Sequence, residues 1–232
     1  MKRSSKRGTL AIAVAALLAL ATMILLAGCS SKQQASSAPP SNTAGSPASN
    51  SVSKDNPLVV DKDAKTVQIY TEVNAKYFVE PTRHGVVFKD GKNASMAVFK
   101  AWANQNDFYN ALIAIGAQPG NNLDLKTAGK SAEGSPLDVT ITWAGAGKEI
   151  PFNDVIIDTQ HKTPDYRFGG NQDRAKTINT GCILCLDSCP VGITSNAAYP
   201  QGSFDGKKVE FRGNKDVLPA DGTPVTVTFK LK

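Results

Sequence analysis

Histidine and cysteine are scarce in this chain of 232 residues: there are two histidines, His84 and His161, and four cysteines. Two histidines so far apart cannot form the His-Glu-x-x-His motif of a zinc protease, and no Ser/His/Asp order of a hydrolase is present. The run Phe168-Gly169-Gly170-Asn171 is not followed by Lys-Ser/Thr, so it is no P-loop, and a tight turn explains its glycines. No basic patch with interleaved aromatics occurs, which excludes a nucleic-acid partner. No internal repeat is visible. These absences favour an electron carrier or a binding protein over an enzyme.

The charge of the chain is concentrated at one end. Lys2, Arg3, Lys6 and Arg7 precede Leu10 to Ala27, an apolar run with Thr22 as its one polar residue. Such a run is long enough to cross a bilayer. Leu26-Ala27-Gly28-Cys29 then resembles the lipobox of bacterial lipoproteins, in which the chain is cut before the cysteine and the thiol receives a diacylglycerol. Residues 1–28 therefore read as a lipoprotein signal peptide and Cys29 as the lipidated residue. The basic flank stays inside, so the rest faces away from the cytoplasm, anchored to the bacterial cell membrane by lipid. The four basic residues account for most of the formal charge of +6; without them 22 basic face 20 acidic side chains, a net of +2.

Residues 29–56 are rich in Ser, Ala, Pro and Asn and contain no aromatic residue. Such a composition buries too little surface to offset the entropy of ordering, so it reads as a disordered tether. Residues 57–232 are enough for one globular domain. Thr66 to Val73 alternates apolar and polar, as do Leu137 to Trp143 and Val225 to Leu231. Gly85 to Phe88, with Met96 to Phe99 as hairpin partner, Val155 to Ile157 and Lys208 to Arg212 are shorter strands. One helix stands out, at about 106–115: Asn106 or Asp107 caps it, and Phe108, Ala111, Leu112 and Ile115 share a face. Gly116 and Pro119 end it. The expected fold is α+β, mostly β, with sandwich-like antiparallel sheets and that single packed helix.

The chemistry is concentrated in Cys182, Cys185 and Cys189, spaced Cys-x2-Cys-x3-Cys-Pro. A Cys-x2-Cys turn presents two thiolates to one metal, which itself favours their deprotonation. Bacterial ferredoxins carry Cys-x2-Cys-x2-Cys-x3-Cys-Pro, and this chain matches all but the first cysteine, where it has Asn179. Asp187, Asn179, His84 and His161 are candidates for a further ligand to an iron–sulfur cluster or another metal. Against this, the basic flank contains no adjacent arginine pair, so export unfolded and metal-free is the simpler route. Three other readings use the same residues. In an oxidising compartment three thiols allow one disulfide and one free thiol. On a helix the three would share a face as buried core cysteines. A thioredoxin-like pair lacks its strand–helix setting. Elsewhere, Arg83-His84-Gly85 has two proton-active side chains without a nucleophile, and Asp154 with Asp158 reads as a solvated pair flanking a strand.

Several segments together resemble the YdjY-domain family: Thr82-Arg83-His84-Gly85, Phe108 to Leu112, Gly116 to Asn122, Phe168 to Asn171, Thr180 to Ala197 and Val217 to Thr223. The resemblance covers nearly all of residues 57–232. The family is described as ferredoxin-like, so the resemblance implies electron transfer to a membrane-bound or extracytoplasmic redox partner, through an iron–sulfur or metal centre on Cys182, Cys185 and Cys189.

Overall fold

Alternation in Thr66–Val73 produces a strand with Val67, Ile69, Thr71 and Val73 buried on one face. The same rule places Val225, Val227 and Phe229 of Pro224–Leu231 in the core, and the two strands pair antiparallel. A computed structural model describes residues 51–232. The signal, the lipobox with Cys29, and the tether up to residue 50 lie outside the described residues. Residues 51–56 pack against the domain: Lys54 Nζ lies 2.7 Å from Glu72 Oε1 and 4.8 Å from the centre of the Trp102 ring. Among the described residues no helix is long and apolar enough to cross a membrane.

In chain order the elements are β1 (Leu58–Asp61), β2 (Thr66–Val73), β3 (His84–Phe88), β4 (Ala97–Ala101), α1 (Gln105–Ala114), β5 (Pro136–Thr142), β6 (Ile150–Pro151), β7 (Ile156–Asp158), β8 (Tyr166–Arg167), α2 (Gln172–Ile178), β9 (Cys182–Cys185), β10 (Thr194–Asn196), β11 (Phe211–Gly213) and β12 (Pro224–Leu231). The mostly-β, α+β expectation holds; the sandwich does not. Strands β2, β12, β5, β8, β10, β9, β3 and β4 pair in that order, and β4 pairs back to β2, closing an eight-stranded barrel. Alternation is identical in a sandwich and a barrel, because each buries one face; only the pairing of the last strand to the first separates them. β7 and β11 form a separate two-stranded sheet.

Two further expectations are corrected. β4 is no hairpin partner of β3: the two run parallel, joined by a crossover over residues 89–96. A second helix, α2, follows the glycine turn, where Gly170 and Asn171 take left-handed backbone conformations (φ 87° and 58°). It is only seven residues long and buries Ala175 alone, too little for an apolar stripe to show in the sequence.

Helix α1 begins one residue earlier than expected, because the side chain of Asn104 accepts the Asn106 N–H. Its buried face meets the barrel at Phe108, whose ring lies 4.6 Å from that of Phe229. Truncating such a side chain typically costs about 3–5 kcal/mol.

Candidate metal centre

The cysteines sit on a strand. In a regular strand residues three apart point to opposite faces, so Cys182 and Cys185 need an irregularity to converge. The β3–β9 pairing supplies it: Val86 pairs with Leu184 and Val87 with Cys182, leaving Ile183 as an extra residue on β9 and Gly85 on β3. Ile183 and Leu184 then both face the main core, while Cys182 and Cys185 join Val87, Ala97 and Cys189 in a smaller buried cluster.

His84 opens β3 and pairs across to Cys185. Its Nδ1 lies 3.6 Å from Cys182 Sγ, and the donor atoms of His84, Cys182 and Cys185 all lie within 4.8 Å of one another. Cys185 lies close enough to both Cys182 and Cys189 for each to raise its pKa, and Cys189 stands outside the close trio. All three cysteines are buried free thiols. His161 is elsewhere, on an exposed turn with φ 51°. Asn179 caps the end of α2 and accepts a hydrogen bond from Gln105, away from the sulfurs. Asp187 is occupied by Arg83.

Two crossovers frame the cluster. Residues 89–96 link the parallel pair β3–β4, and residues 186–193 link the parallel pair β9–β10. The first brings Asn93, whose Nδ2 donates to Cys182 Sγ at 3.5 Å. The second brings Cys189, its N–H donating to Ser195 Oγ at 3.2 Å. This second crossover is clamped from α2. Asn171 Nδ2 donates to the carbonyls of Cys189 and Gly192, both at 3.1 Å, and Arg174 Nε to Pro190 O at 2.7 Å. A Cβ on Gly192 would stand 2.9 Å from Cys185 Sγ, so glycine is what lets the crossover close over the sulfurs.

The thiols are electrostatically unequal. Cys182 is held well below the ordinary thiol range by the hydrogen bond from Cys185, with burial opposing and His84 and Thr180 adding. Cys185 is pushed well above it by its hydrogen bonds to Cys182 and Cys189 and by burial. Arg83 stands close enough to Cys189 and Cys185 for their charges to raise its own pKa. Burial alone would lower it, and Asp187 leads the groups that reverse that. Two cysteine sulfurs and an imidazole, with a third thiol alongside, make a soft donor set suited to zinc, copper(I) or iron, and an ion there would itself draw off the Cys185 proton. Donors on one tetrahedral ion, with bonds of about 2.3 Å to sulfur and about 2.0 Å to nitrogen, stand about 3.6–3.8 Å apart. The 3.6 Å between Cys182 and His84 fits that spacing.

The Cys182/Cys185/Cys189 spacing was legible in the sequence; the participation of His84 and Asn93 required the fold. Asp154 and Asp158 do not form a catalytic pair: Asp158 accepts the Tyr199 hydroxyl and Asp154 the Asn153 amide.

A closed β-barrel domain with buried cysteines and a half-buried histidine clustered on its wall is the class of protein these observations define. The YdjY domain pattern matches residues 58–230, and the chain belongs to that family. It is 40% identical over 218 residues to the uncharacterized protein YdjY of Escherichia coli (strain K12), covering 93% of each chain. No solved structure matches it.

Proposed function

We propose that this is a lipid-anchored protein of the extracytoplasmic membrane face, attached through Cys29, whose Cys182, Cys185, Cys189 and His84 hold a redox-active metal centre. The centre takes one electron from a reduced partner and passes it to an oxidised one. The observation that carries this reading is the convergence of His84, Cys182 and Cys185 within 4.8 Å in a buried setting. The close spacing favours one ion over an iron–sulfur cluster, whose several irons spread their thiolates further apart. Asn93 supplies a hydrogen bond to a ligand sulfur, a common means of tuning a thiolate centre.

The other reading is a stabilising disulfide. Three extended steps separate Cα atoms by about 10 Å, whereas a disulfide needs them within about 7 Å. The bulge shortens the distance between Cys182 and Cys185, yet all three cysteines are free thiols.

The test is metal and acid-labile sulfide analysis, with electron paramagnetic resonance, on the full chain purified in detergent without oxygen. One iron or copper per chain without sulfide, lost in Cys185→Ser, is the expected result. Iron with matching sulfide would replace the single ion by a cluster. Zinc alone would remove electron transfer, and metal-free protein with a disulfide would overturn the reading. Mass spectrometry of the mature N-terminus checks the lipid on Cys29.

A further inference from the structure

A cavity of about 380 Å³ opens between the barrel wall and the small β7–β11 sheet. Its apolar surface comes from Ile156, Ile157, Pro164, Leu186 and Phe211. Two polar side chains that are almost wholly buried also line it: Tyr166, 6% exposed, and Asn196, 5% exposed. Asn196 Oδ1 accepts the N–H groups of Asp165 and Ala198, at 3.0 and 3.1 Å, which fixes the amide orientation and leaves Nδ2 as the uncommitted end. Neither Asn196 Nδ2 nor the Tyr166 hydroxyl has a hydrogen-bond partner among the described residues. The buried side-chain atoms sealed without a partner are Gln105 Oε1 and Asn106 Oδ1. The two donors at the cavity therefore still reach open space, and the space beside them is this cavity.

Two of the charged side chains that line the cavity, Asp158 and Lys162, are already engaged, and the third titratable group, His161, lies on its exposed rim. Asp158 accepts the Gln160 N–H at 2.8 Å and the Tyr199 hydroxyl. Lys162 Nζ donates to Ala198 O at 3.1 Å and lies 4.7 Å from the centre of the Tyr199 ring. Asp158 and Asp154 impose a negative potential on Tyr166, which with burial keeps its hydroxyl protonated and a donor. At the two donors themselves the neighbouring carboxylates disfavour an anion. A neutral ligand offering oxygen acceptors to two donors, with an apolar body for the remaining wall, fits both the chemistry and the size range of small-molecule sites.

We propose that this cavity binds a small, neutral, carbonyl-bearing apolar compound of the quinone or cyclic-ketone class, with Tyr166 and Asn196 donating to its oxygens. The site stands independently of the metal centre, although it adjoins it: Leu186 follows Cys185, and Ser195, next to Asn196, pairs with Cys185.

The probe is duroquinone, which has no ring position open to thiol addition; durene, the same ring without carbonyls, is the comparator. Both are titrated calorimetrically into the full chain in detergent. Saturable duroquinone binding, at least about tenfold tighter than durene, is expected. Tyr166→Phe removes a hydroxyl without an internal partner, and Asn196→Asp keeps the oxygen that caps two N–H groups. Each should weaken duroquinone by about 3–10-fold, the worth of one hydrogen bond, and leave durene unchanged. Absence of saturable binding, equal durene affinity, or unaltered duroquinone affinity in both variants with an unchanged circular dichroism spectrum would overturn the proposal.

Discussion

Asp187 is sealed from solvent, yet Arg83 reaches its Oδ1 twice, from Nε at 3.0 Å and from Nη2 at 2.8 Å. Nη1 turns outward to Asp205 at 2.6 Å. The arginine precedes one donor, His84, and the carboxylate lies between two others, Cys185 and Cys189. Burial raises the Asp187 carboxyl to about 6 despite Arg83, so the pair is held against a real desolvation cost. Arg83→Met would strand a carboxylate in the interior and is expected to destabilise the fold by about 3–5 kcal/mol. Arg83→Met with Asp187→Leu should recover much of that loss. Urea denaturation of the full chain measures both; equal stability of wild type and Arg83→Met would show that the pair is not buried in solution.

The donor set predicts a graded response to ligand substitution. Cobalt(II) added to the reduced full chain should give strong thiolate charge-transfer absorption. Cys182→Ser and Cys185→Ser should abolish it, and His84→Ala should shift the ligand-field bands. Cys189→Ser should have the smaller effect, because Cys189 lies outside the close trio and completes the set as its outermost donor. Equal loss in all three serine variants would instead give Cys189 the same weight as the two strand cysteines.

Gly91 and Gly181 meet backbone to backbone: a Cβ on Gly91 would stand 2.5 Å from Gly181 Cα and 2.6 Å from Thr180 O. No side chain can swing aside there. Gly91→Ala is expected to cost about 1–3 kcal/mol by overpacking and to lift the crossover that carries Asn93. A lowered urea midpoint together with weaker cobalt binding is the expected outcome. An unchanged midpoint would contradict the close approach.

An ion at the proposed centre would join β3 to β9 through His84 and the two strand cysteines, and would bind the folded protein better than the unfolded chain. At free metal about 100-fold above the dissociation constant the gain approaches about 2.7 kcal/mol. Chelator-treated full chain should therefore melt at a lower temperature than loaded chain, with a difference that grows with metal concentration. A melting temperature indifferent to metal would argue against the centre.

The long strands were legible because each buries one face: the expected Thr66 to Val73 coincides with β2, and Val225 to Leu231 falls within β12. Helix α1 was legible from Phe108, Ala111, Leu112 and Ile115. The strand at Cys182–Cys185 was not, since all four of its residues are buried and show no alternation. Its three-residue parallel partner β10, and the two-residue β8 that pairs with β10 on its other side, are held in register by neighbours distant in sequence and carry equally little local signal. For the same reason the cysteines were identifiable as a cluster while their geometry was not: a bulge is a property of a strand pair, and His84 is set beside Cys182 by a pairing between residues 98 apart.

The crossovers over residues 89–96 and 186–193 span the same number of residues, and each joins a parallel pair on one side of the antiparallel β3–β9 seam. Two similar strand–loop–strand units thus face each other, one extending an amide toward the sulfurs and the other a thiol. At the proposed metal centre the strands would supply His84, Cys182 and Cys185, and loop side chains would decide what is added to those three. Exchanging Asn93 for cysteine would offer the site another sulfur without altering any strand pairing. The metal preference of such a barrel is free to diverge while its architecture stays constant.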